Sequence, residues 1–353
     1  MRPTFVLLLI SLMLASASVV GSAQAAGKRS VPAATSLPRP PDQPESGPGG
    51  SAALFGRVIA TRHGAQPVGY WLFAPSDATD QVESDGTLPL VLFLHGFNAL
   101  DPIVYRAWID HIVRRGAVVV YPDYQDATLL GAKPLEYLGN LLTGVRSAVD
   151  ALGAGDHPPV DLSRVAVVGH SLGGIMAANY AAVAESQELP IPAVLMPVEP
   201  GGCRGCRGVN EQLGAPLAPL DNIPEDVLAL VVVGAEDDLV GDMGARLIWS
   251  GMTQVPLEQR DFVTLVGDDR GQPPLEAGHL LPQTAGAGAT IDAMDWYGTW
   301  KLFDSLTSCA FDERWCDTAL GDSASQRFMG IWSDGVPVAE AQITDDPAPP
   351  NLR

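Results

Sequence analysis

Six short runs of apolar, largely β-branched residues, at 90–94, 117–121, 164–168, 193–198, 228–233 and 262–266, constrain this chain more than any other feature. They show little alternation with polar residues, so each reads as a strand covered on both faces, as in a parallel sheet. Helix-like stretches separate them at roughly 102–115, 135–152, 172–187, 242–252 and 292–310. Two further runs, 54–60 and 69–73, are joined by a Gly/Pro turn and read as an antiparallel edge hairpin. The predicted class is therefore α/β, a mostly parallel, doubly wound sheet of about eight strands with helices on both faces. Ligands in such sheets sit at the carboxyl ends of the strands. Chemistry is to be sought in the loops that follow each run.

Outside this repeat the composition changes. A basic start, Met1-Arg2-Pro3, precedes an apolar stretch over 4–20, and Ala23-Gln24-Ala25 supplies a small-x-small cleavage pattern. This predicts a signal peptide over 1–25 and an exported protein, periplasmic or extracellular; an uncleaved anchor is the alternative. No later segment is apolar for long enough to span a bilayer, so no stable membrane span is expected after cleavage. Residues 26–53 are rich in Pro, Gly and Ser and cannot bury a core, which predicts a disordered linker. The folded domain is then 54–342, with a flexible tail over 343–353. Acidic residues outnumber basic ones 41 to 21, for a net charge of −20. Nucleic acid and anionic membrane surfaces would be repelled and are not expected partners.

In an exported chain an even number of cysteines suggests disulfides. Cys203 with Cys206 and Cys309 with Cys316 are the simplest pairs, and crossed pairings remain open. Cys203-Arg204-Gly205-Cys206 could instead be a redox dithiol or half of a zinc site. The second pair lacks zinc spacing, and no thioredoxin-like context surrounds the first.

Three strand-end loops carry chemistry. Gly169-His170-Ser171-Leu172-Gly173-Gly174 follows the run at 164–168 and opens an Ala-rich helix. This is a nucleophile turn in its required strand–turn–helix setting, with Ser171 as nucleophile. After the run at 90–94, His95-Gly96-Phe97-Asn98 can aim a backbone amide at an oxyanion. Phe97 is assigned as that donor, with the Leu172 amide as its partner. Serine needs a base, and the base needs an orienting carboxylate. Of six histidines only His279, in Glu276-Ala277-Gly278-His279, lies beyond Ser171. For the acid, Asp237, three residues past Gly234, is preferred, with Asp238 the alternative. Asp242, Asp268 and Asp269 also lie near strand ends.

His95-Gly96-Phe97, Gly169–Gly174, Gly234-x-x-Asp237 and Gly278-His279 together resemble the α/β-hydrolase superfamily. Within it the chain looks like the dienelactone-hydrolase, chlorophyllase and cutinase-like polyester-hydrolase relatives, over roughly 65–305. The resemblance implies an eight-stranded sheet, no cofactor, no metal, and hydrolysis of a small or polymeric ester through an acyl-enzyme. Lipase, polyesterase, thioesterase or acyl-transfer chemistry on the same serine, and a non-catalytic scaffold, are the alternatives. The segment 199–225, with its cysteine pair, matches no cap domain of these relatives, and the aromatic stretch after Asp295 is also distinctive.

Overall fold

A computed structural model describes residues 37–76, 86–126, 133–155, 157–206 and 214–349. The expected signal peptide lies outside the described residues. Among the described residues the nine strands are β1 (Val58–His63), β2 (Tyr70–Pro75), β3 (Leu88–Leu94), β4 (Val118–Pro122), β5 (Val160–His170), β6 (Val194–Val198), β7 (Leu228–Gly234), β8 (Arg260–Leu265) and β9 (Gln342–Thr344). They form one sheet in the order β1-β2-β4-β3-β5-β6-β7-β8-β9. From β4 to β8 all neighbours are parallel; the β1–β2 hairpin and β9 run antiparallel at the two edges.

The unbroken apolar runs are explained by two cores. In β3, Leu90, Leu92 and Leu94 face one core while Val91 and Phe93 face the other. Because successive side chains point to opposite faces, a strand between two helix layers must be apolar at both parities. The first layer holds α2 (Tyr137–Leu152), α3 (Leu172–Val183) and α4 (Met243–Gly251); the second holds α1 (Arg106–Arg114) and α5 (Trp300–Asp312). Helix α3 is buried from Leu172 to Ala182. Its glycines and alanines allow close approach to the sheet, which brings its N-terminus to the strand ends.

The helix expected over 292–310 begins instead with a wide turn, Met294–Thr299, in which Gly298 leaves helical geometry at φ −96° and ψ −105°. Strand β1 starts at Val58 rather than residue 54, and Phe55 is buried just before it.

Two segments read as unstructured differ more. The described part of the linker, from residue 37, is a strap on the domain. Gly49 N–H donates to Asp304 Oδ2 at 2.7 Å, Gln272 N–H to Pro38 O at 2.9 Å, and Tyr297 Oη to Asp42 O at 3.2 Å. A Pro/Gly segment cannot make its own core, but its prolines lose little freedom when a ready surface holds them. The C-terminal stretch contributes β9, pairing Phe262 with Thr344 and Thr264 with Gln342. The open edge of β8 offers unpaired amides and carbonyls that an extended segment satisfies whatever its side chains.

Candidate active site

Ser171 sits between β5 and α3 at φ 57° and ψ −121°, a conformation disfavoured for a residue with a Cβ. Close packing around the turn enforces it. A Cβ on Gly169 would lie 2.1 Å from Gly173 O, and one on Gly173 2.0 Å from Leu94 O. Ser171 N–H donates to Val198 O at 2.9 Å, which ties the turn to β6. Leu172 is the first helical residue, so its N–H has no acceptor within the helix and the positive end of the helix dipole lies beside the serine.

The turn after β7 and the loop after β8 meet Ser171 from the other side. His279 Nε2 is 3.0 Å from Ser171 Oγ, and His279 Nδ1 is 2.8 Å from Asp237 Oδ2. Asp237 Oδ1 accepts the N–H groups of Leu239 and Val240, each at 3.0 Å. Burial pushes the Asp237 carboxyl upward, but the bonds from His279, Val240 and Leu239 outweigh it and hold the group below the usual carboxylate range. Glu236 locks the two segments together: its Oε2 accepts from Ala277 N–H at 2.9 Å and Gly267 N–H at 3.1 Å.

The other candidate acids lie elsewhere. Asp238 is exposed, and only its backbone joins the turn. Asp242 pairs with Arg246, Asp268 accepts from Trp332 Nε1 and Ala339 N–H, and Asp269 is exposed.

A carboxyl that spacing did not single out is Glu199, one residue past β6 and 1% exposed. Its Oε2 lies 3.3 Å from His170 Nε2 and 4.0 Å from His279 Nδ1, yet neither of its oxygens gains a hydrogen bond. Burial, then the charge of Asp237, raises this carboxyl well above the ordinary range, so it is held neutral. The rule that chemistry follows strand ends could have flagged it. His170, Glu199 and His279 offer donor atoms within 4.8 Å of one another, the spacing of a metal site. Both nitrogens of each ring already make hydrogen bonds, so a metal would have to break them.

The turn after β3 is equally fixed. His95 is fully buried, stacks on Tyr124 with centroids 4.2 Å apart, and bonds Gly96 O through Nδ1 at 2.7 Å. Burial lowers its pKa to about 4, so it is neutral. Gly96 N–H donates to Tyr105 Oη and Asn98 N–H to Gln125 Oε1. The Phe97 amide between them has no acceptor among the described residues.

Strand order, the strained serine between β5 and α3, and the turns after β3, β7 and β8 converge on one architecture. The chain has the α/β-hydrolase fold. The profile of the chlorophyllase family matches residues 78–212. That stretch runs from before β3 through the Ser171 turn to the loop after β6, and ends ahead of Asp237 and His279. Over it the chain is similar to the chlorophyllase family, and the match supports an ester hydrolase of the α/β-hydrolase type. A comparison with curated proteins found no match.

Disulfides join Cys203 to Cys206 and Cys309 to Cys316, in keeping with an oxidising compartment. The first closes the loop that follows Glu199, where Gly201 N–H donates to Ser171 O at 3.1 Å. No helix among the described residues is long and apolar enough to cross a membrane.

Proposed function

We propose that this is an exported serine esterase. His279 takes the proton from Ser171 as Oγ attacks an ester carbonyl. Asp237 orients the ring and stabilises the imidazolium that forms. The amides of Phe97 and Leu172 hold the oxyanion, each contributing about 3 kcal/mol in comparable sites. Collapse of the tetrahedral adduct breaks the C–O bond, and the alcohol leaves with the proton from His279. Water then attacks the acyl-enzyme by the same route and releases the acid, restoring the Ser171 hydroxyl. The observation that carries this reading is the continuous chain of 3.0 and 2.8 Å contacts from Ser171 through His279 to Asp237.

Exposed apolar side chains stand on each of the three loops, Phe97 at 50%, Leu239 at 68% and Leu280 at 37%, and favour an ester with apolar groups. The test is intact mass after incubation with a fluorophosphonate, alongside hydrolysis of p-nitrophenyl esters of increasing chain length. One adduct on the wild type, none on Ser171→Ala, and a preference for longer acyl chains are expected. Well-folded wild type with neither adduct nor hydrolysis would point to a scaffold and overturn the reading.

A further inference from the structure

Resting on the esterase reading, we infer that Tyr105 and His170 are positioning residues: a buried bridge of two side chains that holds the oxyanion turn and the base-bearing loop in register across the nucleophile. Tyr105 comes from the short 3₁₀ turn Pro102–Tyr105 that precedes α1, and is 0% exposed; His170 ends β5, beside Ser171, and is 1% exposed. Gly96 N lies 3.0 Å from Tyr105 Oη, Tyr105 Oη lies 2.8 Å from His170 Nδ1, and His170 Nε2 lies 2.8 Å from the backbone oxygen of His279. Contacts that reach across 65 and then 109 positions in sequence thus join the two turns through two side chains.

The direction of every hydrogen bond follows from chemistry. The carbonyl of His279 can only accept, so His170 Nε2 must carry a hydrogen. Burial lowers the His170 pKa to about 3, so the ring is neutral and Nδ1 is bare. Nδ1 then accepts from the Tyr105 hydroxyl, whose oxygen accepts from Gly96 N–H. The chain reads Gly96 N–H to Tyr105 O–H to His170 N–H to His279 O, with each polar atom satisfied in a single arrangement. Burial also raises the Tyr105 hydroxyl far above its ordinary pKa, so it remains a donor. Such single-arrangement networks confer rigidity, because any rotation orphans a buried group.

Both ends of the bridge lie next to reacting atoms. The amide after Gly96 is that of Phe97, and the carbonyl that His170 holds belongs to His279 itself. Space is closed around it as well: a Cβ on Gly96 would lie 3.0 Å from Tyr105 Oη and 3.3 Å from His170 Nδ1. Neither side chain touches the ester in the proposed reaction. Their effect is to fix the distance from oxyanion donor to base.

The experiment compares Tyr105→Phe and His170→Asn with the wild type, using p-nitrophenyl butyrate kinetics and backbone amide exchange on the free enzyme. Tyr180→Phe is the control, since it too removes one buried hydroxyl, bonded to Pro190 O at 2.8 Å, but from the last turn of α3. For Tyr105→Phe the expected result is a kcat lowered about 10- to 100-fold with KM within about twofold. Amide exchange should rise in peptides covering both 95–98 and 278–281. His170→Asn, which can keep a partner for Tyr105 but lacks the Nε2 arm, should raise exchange at 278–281 and spare 95–98. Tyr180→Phe should lower Tm comparably and leave kcat alone. An active wild type with Tyr105→Phe within twofold of it, or no better separated from it than Tyr180→Phe, overturns the bridge alone. A folded wild type without esterase activity overturns the esterase reading, and the bridge's role falls with it.

Discussion

Two carboxyls approach His279 from adjacent strand ends, and they are handled in opposite ways. Asp237, after β7, receives the His279 Nδ1 contact at 2.8 Å and two backbone N–H bonds. Glu199, after β6, lies 4.0 Å from the same nitrogen and receives no hydrogen bond. Both are buried, so distance from solvent does not separate them. Donors do: a buried carboxylate stays charged only where hydrogen-bond donors replace its water, and otherwise keeps its proton. One acid is therefore built as an anion beside His279 and the other as a neutral filler. Which of two carboxyls stays charged beside a histidine is thus set by the amides of its turn, here Leu239 and Val240, as much as by its closeness to the ring.

Asp237→Asn is expected to lower kcat about 10³- to 10⁴-fold while the fold is kept, because the amide favours the wrong imidazole tautomer. Ser171→Ala and His279→Ala should each lose at least ~10³-fold, as steady-state ester hydrolysis would reveal. If Glu199 served as a substitute acid, adding Glu199→Gln to Asp237→Ala would depress the residual rate further. The expected outcome is a double variant within about twofold of Asp237→Ala, since groups that share no function do not couple.

Glu199 has its own signature in stability. Its folded pKa is raised above the ordinary 4.5, so the native state binds this proton more tightly than the unfolded chain. Below that ordinary value both states carry the proton and nothing is lost. Above it the unfolded chain gains by ionising, and native stability falls as pH rises towards the folded pKa. Glu199→Gln removes this loss. Thermal melts should place the variant about 2 °C or more above wild type at pH 7–8, with the gap closing near pH 4. A variant less stable at every pH would mean that Glu199 is charged or bonded after all. The smallest effect belongs to Asp238→Asn, expected to stay within about twofold of wild-type kcat because its carboxyl faces solvent.

Much of this layout is legible in the sequence. Runs apolar at both parities read as strands covered on both faces, and Leu90 to Leu94 divide between the two cores accordingly. Ser171 and His279 stood out because one lies in a glycine-bound turn and the other is the single histidine beyond it; Asp237 was less marked among neighbouring aspartates. These are the residues that meet in space. Less legible were contacts with no local pattern. Tyr105 carries no motif, and its partner His170 is 65 positions away. Glu236 joins two loops through backbone amides, which any sequence possesses. The strap from residue 37 and strand β9 escaped because Pro/Gly-rich and acidic segments have no apolar periodicity, and are held by edges and surfaces that the rest of the fold creates.

In the proposed esterase, Ser171 is activated through His279 by Asp237 and not by Glu199. The most direct measurement is kcat for p-nitrophenyl butyrate on Asp237→Asn and Glu199→Gln, purified and assayed side by side with wild type. A loss of about 10³-fold or more in the first and a rate within about fivefold of wild type in the second are expected. The reverse pattern, or equal losses in both, would contradict that assignment.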